Sequence, residues 1–381
     1  MLVTHGCRRS RAGALVANLV FLALAACSAA PRTIRIGLAG PFSDSTGAPM
    51  LRAAQLAAET INRSGGINGR PLELVALDDH GDPDSAVKVA LALKQAGVVA
   101  VIGHVYSEAT LAAAPVYNDP AHPLVAITPS ATAPAISDAG PYTFRTCPSD
   151  RQQGAALAGF VRERLGLGRG TILYANNEYG RGLRTAFADE FSRIGGQIDE
   201  TAPYLEDGPA VEAYLQRMAR QKTSQFVFLA GSVGEAPAIL SAARRLRITA
   251  PFIGGDGLEG LEAAGAITNG TYLSAAYLAS DTSALNQAFV AAYQRKYPTA
   301  TLPNQPAAAT WDLLLLLREA IADAGTGTAR LKTRIQEVGQ RRPAFLGVTG
   351  EIGFDDHGDV PRQRVLIARI EREQVRLVEG P

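Results

Sequence analysis

The sequence predicts an α/β fold made of two doubly wound, parallel-sheet lobes. From residue 33 onward, short apolar runs alternate with amphipathic helical stretches, which is the pattern of βαβ units around parallel sheets. The apolar runs are continuous, as expected for strands that are covered on both faces. The elements are too many for one sheet, and 381 residues with 47% hydrophobic content provide enough apolar side chains for two cores.

The first units show how each element is recognised. Residues 34–38 predict a strand, and regularly spaced apolar residues predict a helix over 50–62. Residues 72–77 predict the next strand, after which Asp82 is the expected N-cap of a helix with Pro83 at its first position. Further strands are predicted at 98–102, 124–127, 171–174, 226–229 and 252–253. Further helices are predicted near 151–165, 182–194, 211–220, 235–246, 283–297 and 307–324. The final stretch predicts three strands in antiparallel succession, at 351–355, 365–370 and 375–378.

The N-terminus has the pattern of an export signal. Three arginines precede an apolar run over 14–24, which is too short to span a membrane as a helix. Leu24-Ala25-Ala26-Cys27 resembles a bacterial lipobox, so residues 1–26 are a predicted lipoprotein signal peptide and Cys27 a predicted lipidation site. An ordinary signal with an incidental cysteine is the alternative. The lipoprotein interpretation places the protein in the bacterial envelope, in the periplasm or at the cell surface, anchored to a membrane by lipid.

Cysteine content and net charge argue against a disulfide-stabilised fold and against a nucleic-acid-binding protein. Once Cys7 has left with the signal and Cys27 carries lipid, Cys147 is alone and no intrachain disulfide is possible. The formal charge of +1 becomes −2 without residues 1–26, because that segment carries three arginines and no acid. This near-balance argues against a nucleic-acid partner.

The loops that follow strands are the expected binding loops of doubly wound sheets. Ser107 is predicted to cap the helix that follows residues 98–102, and a hydroxyl beside unpaired helix amides can bind a carboxylate. Residues 128–134 offer further hydroxyls and amides after the next strand. Each segment taken alone is equally explained as a structural cap or loop.

Other motifs have simpler explanations than catalysis. Residues 255–260 match G-x-G-x-x-G, but their two acids would face the pyrophosphate of a dinucleotide. Residues 78–82 and 355–359 are acid-rich, but they lack calcium-loop spacing and are interpreted as turns. His104 is expected to make a structural hydrogen bond. No nucleophile elbow, phosphate loop or metalloprotease helix is present, so we expect no enzyme activity, no cofactor and no metal.

An ordered set of segments resembles the periplasmic branched-chain amino-acid-binding family, also described as leucine/isoleucine/valine-binding-like. The resemblance covers about residues 33–359. Its segments are Gly40-Pro41-Phe42-Ser43, residues 61–70, Asp78-Asp79 with Asp82-Pro83, residues 101–104, Ser130-Ala131-Thr132 and Tyr179-Gly180-Arg181-Gly182. The resemblance implies a type I periplasmic-binding-protein fold, with two lobes joined by a three-strand hinge. It also implies a monomeric, extracytoplasmic solute-binding protein that closes on its ligand and delivers it to the permease of an ABC transporter.

The resemblance also assigns roles to individual residues. Ser107 and Thr132 match positions that hold the α-carboxylate of an amino acid, and Ser130 and Ala131 match the adjacent backbone. From the opposite lobe, Tyr179 matches an aromatic residue and Asp256 the acid that binds the α-ammonium.

The chain departs from the family pattern where the ligand's side chain would lie. Ser232 stands where an aromatic residue is common, and Tyr106 stands where a smaller residue or a disulfide-forming cysteine is usual. The amino-acid head group is therefore better supported than a branched-chain tail. An amide, urea-like or aromatic solute remains an alternative ligand, and an envelope regulator or sensor remains an alternative function.

The implied lobes each comprise two chain segments. The first lobe is predicted to comprise residues 27–147 and 274–349, and the second lobe residues 148–273 and 350–381.

Overall fold

The computed structural model describes residues 1–3, 33–205 and 210–379. The predicted signal peptide, apart from its first three residues, and Cys27 lie outside these residues. Within them, the strands form a five-stranded sheet, a seven-stranded sheet and a separate two-stranded hairpin. The two larger sheets confirm the predicted two-lobed α/β fold.

The first sheet is entirely parallel. Its strands are β1 Ile34–Gly40, β2 Leu72–Asp78, β3 Ala100–Ile102, β4 Val125–Thr128 and β5 Thr143–Arg145. The helices between and after them are α1 Gly47–Arg63, α2 Pro83–Gln95, α3 Ser107–Tyr117 and α4 Asp150–Gly159. The Asp82 side chain accepts a hydrogen bond from Ser85 N at 2.7 Å, which confirms the predicted cap of α2.

The second sheet is parallel over its first five strands and ends in antiparallel strands. Its strands are β6 Arg169–Ala175, β7 Gln197–Tyr204, β8 Phe226–Ala230, β9 Phe252–Gly254, β10 Tyr272–Ala275, β13 Leu366–Glu371 and β14 Gln374–Glu379. The strand order is β2-β1-β3-β4-β5 in the first sheet and β14-β13-β10-β9-β8-β6-β7 in the second. The associated helices are α5 Glu178–Arg193, α6 Ala210–Gln221 and α7 Ala236–Arg245. Strand β8 is buried along its whole length, as its continuous apolar sequence predicts.

Three later helices and the hairpin complete the fold. They are α8 Ala284–Lys296, α9 Gln305–Ala324, α10 Thr328–Gln336, β11 Phe345–Gly347 and β12 Gly350–Ile352. The buried face of α9, including Leu313 and Leu317, shares a core with Ile36 and Ile102 of the first sheet. The chain therefore returns to the first lobe after β10. In the described part of the chain, no helix combines the length and apolar character needed to cross a membrane.

Some boundaries differ from the sequence prediction. Strands β5, β7, β10 and β11 and helix α10 were not predicted, because they are short or carry polar residues on an exposed side. The predicted antiparallel succession of three strands is wrong at its first member, since β12 pairs with β11 and only β13 pairs with β14.

The predicted lobe boundary at residue 350 also needs adjustment. Ile352, Phe354 and Val360 pack in the core of the first sheet, whereas the sequence prediction assigns them to the second lobe. We propose that the last crossover between lobes lies between Val360 and Leu366.

Asp312 of α9 anchors the hairpin to the first lobe. Its carboxylate accepts hydrogen bonds from Val348 N and Thr349 N, both at 2.9 Å, and from Thr349 Oγ1 at 2.7 Å. Burial raises the pKa of Asp312 to about 6, against the lowering effect of these bonds. Gly347 is required beside it, because a Cβ there would lie 2.3 Å from the Asp312 carboxyl.

We expect Asp312→Ala to lower the free energy of unfolding by about 2 to 4 kcal/mol, because it leaves buried donors without an acceptor. Chemical denaturation measures this. Asp323→Ala on the same helix is the matched control, since Asp323 is exposed and solvent screens its ion pairs with Arg334 and Arg342. Equal losses in the two variants would contradict the anchoring role.

Candidate functional site

The loop after β4 forms one wall of the candidate site. The Thr128 hydroxyl accepts hydrogen bonds from Ala131 N at 2.9 Å and Ser130 N at 3.3 Å, and donates to His104 O at 2.6 Å. This hydroxyl therefore fixes the loop that carries Thr132 against the end of β3. Thr132 is buried, and its Oγ1 has no hydrogen-bond partner among the described residues.

Ser107 lies next to this loop, but it does not cap its helix as predicted. The N-cap position belongs to Tyr106, whose backbone is extended, and Ser107 is the first residue of α3. The buried Ser107 Oγ instead accepts a hydrogen bond from Ala133 N at 3.2 Å. The serine thus joins the start of α3 to the residue that follows Thr132.

Arg145 binds the backbone of the same loop, a role that no sequence signal indicated. It is 1% exposed, and its Nη1 donates to the carbonyls of Thr132 and Ala133, each at 3.0 Å. Its Nε and Nη2 donate to Asp359 at 2.6 and 2.9 Å. The guanidinium therefore links the loop to the segment just before the last crossover.

His104 is structural, as the sequence predicts. Its Nδ1 lies 2.5 Å from Asp79 Oδ2 and its Nε2 lies 3.0 Å from the Tyr117 hydroxyl, with all three side chains buried. The acid-rich segments are turns, since Asp78 Oδ1 accepts from His80 N and Asp355 Oδ1 accepts from His357 N.

Tyr179 and Asp256 of the second lobe are in direct contact. The Tyr179 hydroxyl donates to Asp256 Oδ1 at 3.0 Å and accepts from Gly257 N at 2.9 Å. A Cβ on Gly255 would lie 2.5 Å from the Tyr179 hydroxyl, and one on Gly257 would lie 2.8 Å from its ring. The first two glycines of the G-x-G-x-x-G match, Gly255 and Gly257, therefore make room for Tyr179.

Asp150, which the sequence analysis did not select, adds a second carboxylate to this wall. It is the first residue of α4, it is fully buried, and neither carboxyl oxygen has a hydrogen-bond partner among the described residues. Burial and the neighbouring Asp256 raise its pKa, and the nearby Thr132 hydroxyl offsets only part of that rise. Thr132, Asp150 and Asp256 are thus neighbours that come from both lobes.

Two other acids of the second lobe's wall have raised pKa values. Burial raises the pKa of Asp256 to about 6, although Tyr179 and Gln153 lower it by hydrogen bonding. Burial raises the pKa of Glu259 to about 8. Both side chains keep part of their surface accessible to solvent. The arrangement can accept a cation and offers no nucleophile beside a base.

Tyr106 and Ser232 use their hydroxyls within their own lobes. Tyr106 donates to Asp44 Oδ2 at 2.8 Å, and its ring lies against Gly81, where a Cβ would come within 2.5 Å. Ser232 Oγ donates to Glu235 and accepts from Gly234 N at 3.2 Å. Their proposed contact with a ligand side chain stays a prediction, as do the ligand contacts of the other site residues.

Comparison with known proteins gives consistent matches over nearly the whole chain. Residues 33–374 match the model of a family described as periplasmic binding proteins. The chain is 30% identical over 362 residues to a leucine-, isoleucine-, valine-, threonine- and alanine-binding protein of Pseudomonas aeruginosa, covering 92% of this chain and 93% of that protein.

Two solved structures share the fold. One is an ABC transporter substrate-binding protein of Desulfitobacterium hafniense in complex with Leu, with 29% identity, a TM-score of 0.80, and coverage of 91% of this chain and 100% of that one. The other is a branched-chain amino acid transporter substrate-binding protein of Streptococcus pneumoniae in complex with isoleucine. It has 26% identity, a TM-score of 0.81, and coverage of 92% and 100%.

The buried acids predict a particular dependence of stability on pH. The folded pKa values of Asp150, Asp256 and Glu259 exceed the ordinary value of about 4, so the folded chain binds more protons than the unfolded chain above that pH. Their contribution to stability is therefore complete below about pH 4 and is lost as pH rises toward 8. We expect Asp150→Asn to flatten the fall in Tm between pH 5 and 8.

Thermal unfolding of the ligand-free protein across this range is the measurement. Asp189→Asn is the control, because Asp189 is exposed on α5. If the slopes of Tm against pH were equal in the wild type, Asp150→Asn and the control, the buried carboxylate of Asp150 would have no part in the pH dependence.

Proposed function

The chain belongs to the periplasmic binding protein family, and from that premise we propose that it is an extracytoplasmic solute-binding lipoprotein of an ABC transporter. Its ligand is an amino acid or a close analogue, which binds between the two lobes and stabilises their closed arrangement. The observation that carries this proposal is the pair of neighbouring carboxylates of Asp150 and Asp256 beside the buried hydroxyl of Thr132.

A zwitterion complements these two walls. Asp150 and Asp256 repel one another, and a ligand ammonium between them would relieve that repulsion. Ser107 Oγ accepts one hydrogen bond, so its proton is available to a ligand carboxylate, as is that of Thr132. Charge-assisted hydrogen bonds of this kind are the stronger ones.

The relatives support the same class of ligand. The Pseudomonas protein is named for binding five amino acids, and the Desulfitobacterium and Streptococcus proteins hold leucine and isoleucine. None of these proteins is named as an enzyme, and we propose that this chain binds its ligand without transforming it. The closed lobes would then present the ligand to a permease in the inner membrane.

A thermal-shift screen followed by one substitution tests the proposal. Among amino acids, their amides and aromatic acids, we expect an amino acid to stabilise the protein most, by ~2.7 kcal/mol when it is present at 100 times its Kd. We expect Asp256→Asn to weaken that ligand by about 1.5 to 3 kcal/mol, the value of a hydrogen bond to a charged group. Titration calorimetry measures the change.

Asp189→Asn, an exposed change in the same lobe, should leave the affinity unchanged. An aromatic acid or an amide as the best ligand would refute the amino-acid assignment. Unaltered affinity in Asp256→Asn would remove Asp256 from the site.

Lipid attachment is tested separately. We expect Cys27→Ser to release the protein from the membrane fraction, because the thiol is the proposed site of acylation, and to remove the lipid mass from the mature N-terminus. Fractionation and mass spectrometry measure both effects. Cys7→Ser is the matched control, since Cys7 lies within the segment proposed to be removed. A Cys27→Ser protein that remained membrane-bound would contradict the anchor.

A further inference from the structure

We propose that Glu108 and Glu259 are positioning residues that act as reciprocal latches between the lobes. Each carboxylate belongs to one lobe and accepts a hydrogen bond from the first N–H of a helix in the other lobe. This inference deepens the proposed function, since it assigns two residues to the closure of the lobes.

In the first latch, Glu108 of the first lobe binds a helix of the second lobe. Glu108 lies in the first turn of α3, and its Oε1 accepts a hydrogen bond from Glu178 N at 3.0 Å. Glu178 is the first residue of α5. The helix's own cap, Asn177, accepts from Gly180 N at 2.8 Å and leaves the N–H of Glu178 to the opposite lobe.

In the second latch, Glu259 of the second lobe binds a helix of the first lobe. Glu259 Oε1 of the second lobe accepts a hydrogen bond from Gln305 N at 2.8 Å. Gln305 is the first residue of α9, whose cap Asn304 accepts from Ala307 N at 3.1 Å. The Gln305 side chain donates to Pro129 O at 2.8 Å, so this latch also contacts the loop that carries Ser130 and Thr132.

The two contacts have the same construction. In each helix an asparagine binds the third N–H, and a glutamate from the other lobe binds the first. A glutamate oxygen at a helix N-terminus is stabilising because it accepts from an N–H group that has no partner within the helix, and this holds for Glu259 whether or not its carboxyl group is ionised. Separation of the lobes returns both groups to water, so these contacts favour closed molecules.

The closed fraction in turn sets the affinity. A ligand that binds only closed molecules has an apparent Kd equal to its intrinsic Kd divided by the closed fraction. Loss of either latch should weaken every ligand by the same factor, without a change in selectivity. A residue that contacts the ligand's side chain would change selectivity.

Amide hydrogen exchange of the full chain without ligand tests the latches. We expect Glu108→Ala to speed exchange at Gln305 N, and Glu259→Ala to speed exchange at Glu178 N, each on the order of tenfold. In both variants the affected donor lies at the other latch, so a purely local loss of an acceptor cannot produce the effect. Electron-transfer fragmentation resolves the single amides.

Two controls accompany the measurement. Glu59→Ala and Glu190→Ala remove surface glutamates whose ion pairs, with Lys296 and Arg193, stay within one lobe, and they should change neither donor. Amides of β8 should exchange equally in all variants, which shows that the fold is intact. Glu108→Gln and Glu259→Gln keep an oxygen acceptor and should give smaller effects.

The proposal is overturned if each alanine variant affects only its own donor, or neither donor. It is also overturned if both donors exchange freely in the wild type, because working latches require closed molecules. Since no ligand is present, a failure of the amino-acid screen leaves this result unaffected. Coupled exchange without amino-acid binding would reject the ligand assignment and keep the latches.

Discussion

The proposed binding site depends on two neighbouring carboxylates, Asp150 and Asp256, for which the described residues provide no ion pair. Asp150 is fully buried without a hydrogen-bond partner in the described part of the chain, and Asp256 is bound by the Tyr179 hydroxyl, by Gln153 and by backbone N–H groups. The nearby Arg145 is occupied by Asp359 and by two backbone carbonyls. Ionisation of a carboxyl group in such a place is costly, and in the proposed complex the ammonium of the ligand would stabilise the ionised form.

The two-sheet architecture brings these groups together. The binding loop follows β4 in the first sheet, whereas Asp256 follows β9 in the second, and both lie at the carboxyl ends of parallel strands. Asp150 begins α4 just after the chain leaves β5, so the first crossover itself supplies part of the site. Glu108 and Glu259 then connect the same two walls, and in the proposed mechanism these contacts couple ligand binding to the arrangement of the lobes.

The periodicity of apolar residues and the helix-capping signals predicted most of the alternating strands and helices, the Asp82 cap and the two lobes. The ordered resemblance selected Tyr179 and Asp256, which the structure joins by a hydrogen bond, and their contact with a ligand stays a prediction. The position of Ser107 was wrong by one residue, because only backbone dihedral angles decide where a helix starts. Asp150 was missed because an acid in a first helical turn is ordinarily a solvated dipole partner, and only tertiary packing reveals that this one is buried.

The central claim is that these carboxylates require a cationic group on the ligand. The most direct measurement is calorimetry of the best-binding amino acid against the acid of the same carbon skeleton that lacks the ammonium. We expect the acid to bind at least about 100-fold more weakly, since two charge-assisted contacts of about 1.5 to 3 kcal/mol each are lost. Equal affinity for the two compounds would show that the carboxylates do not face the ligand's ammonium.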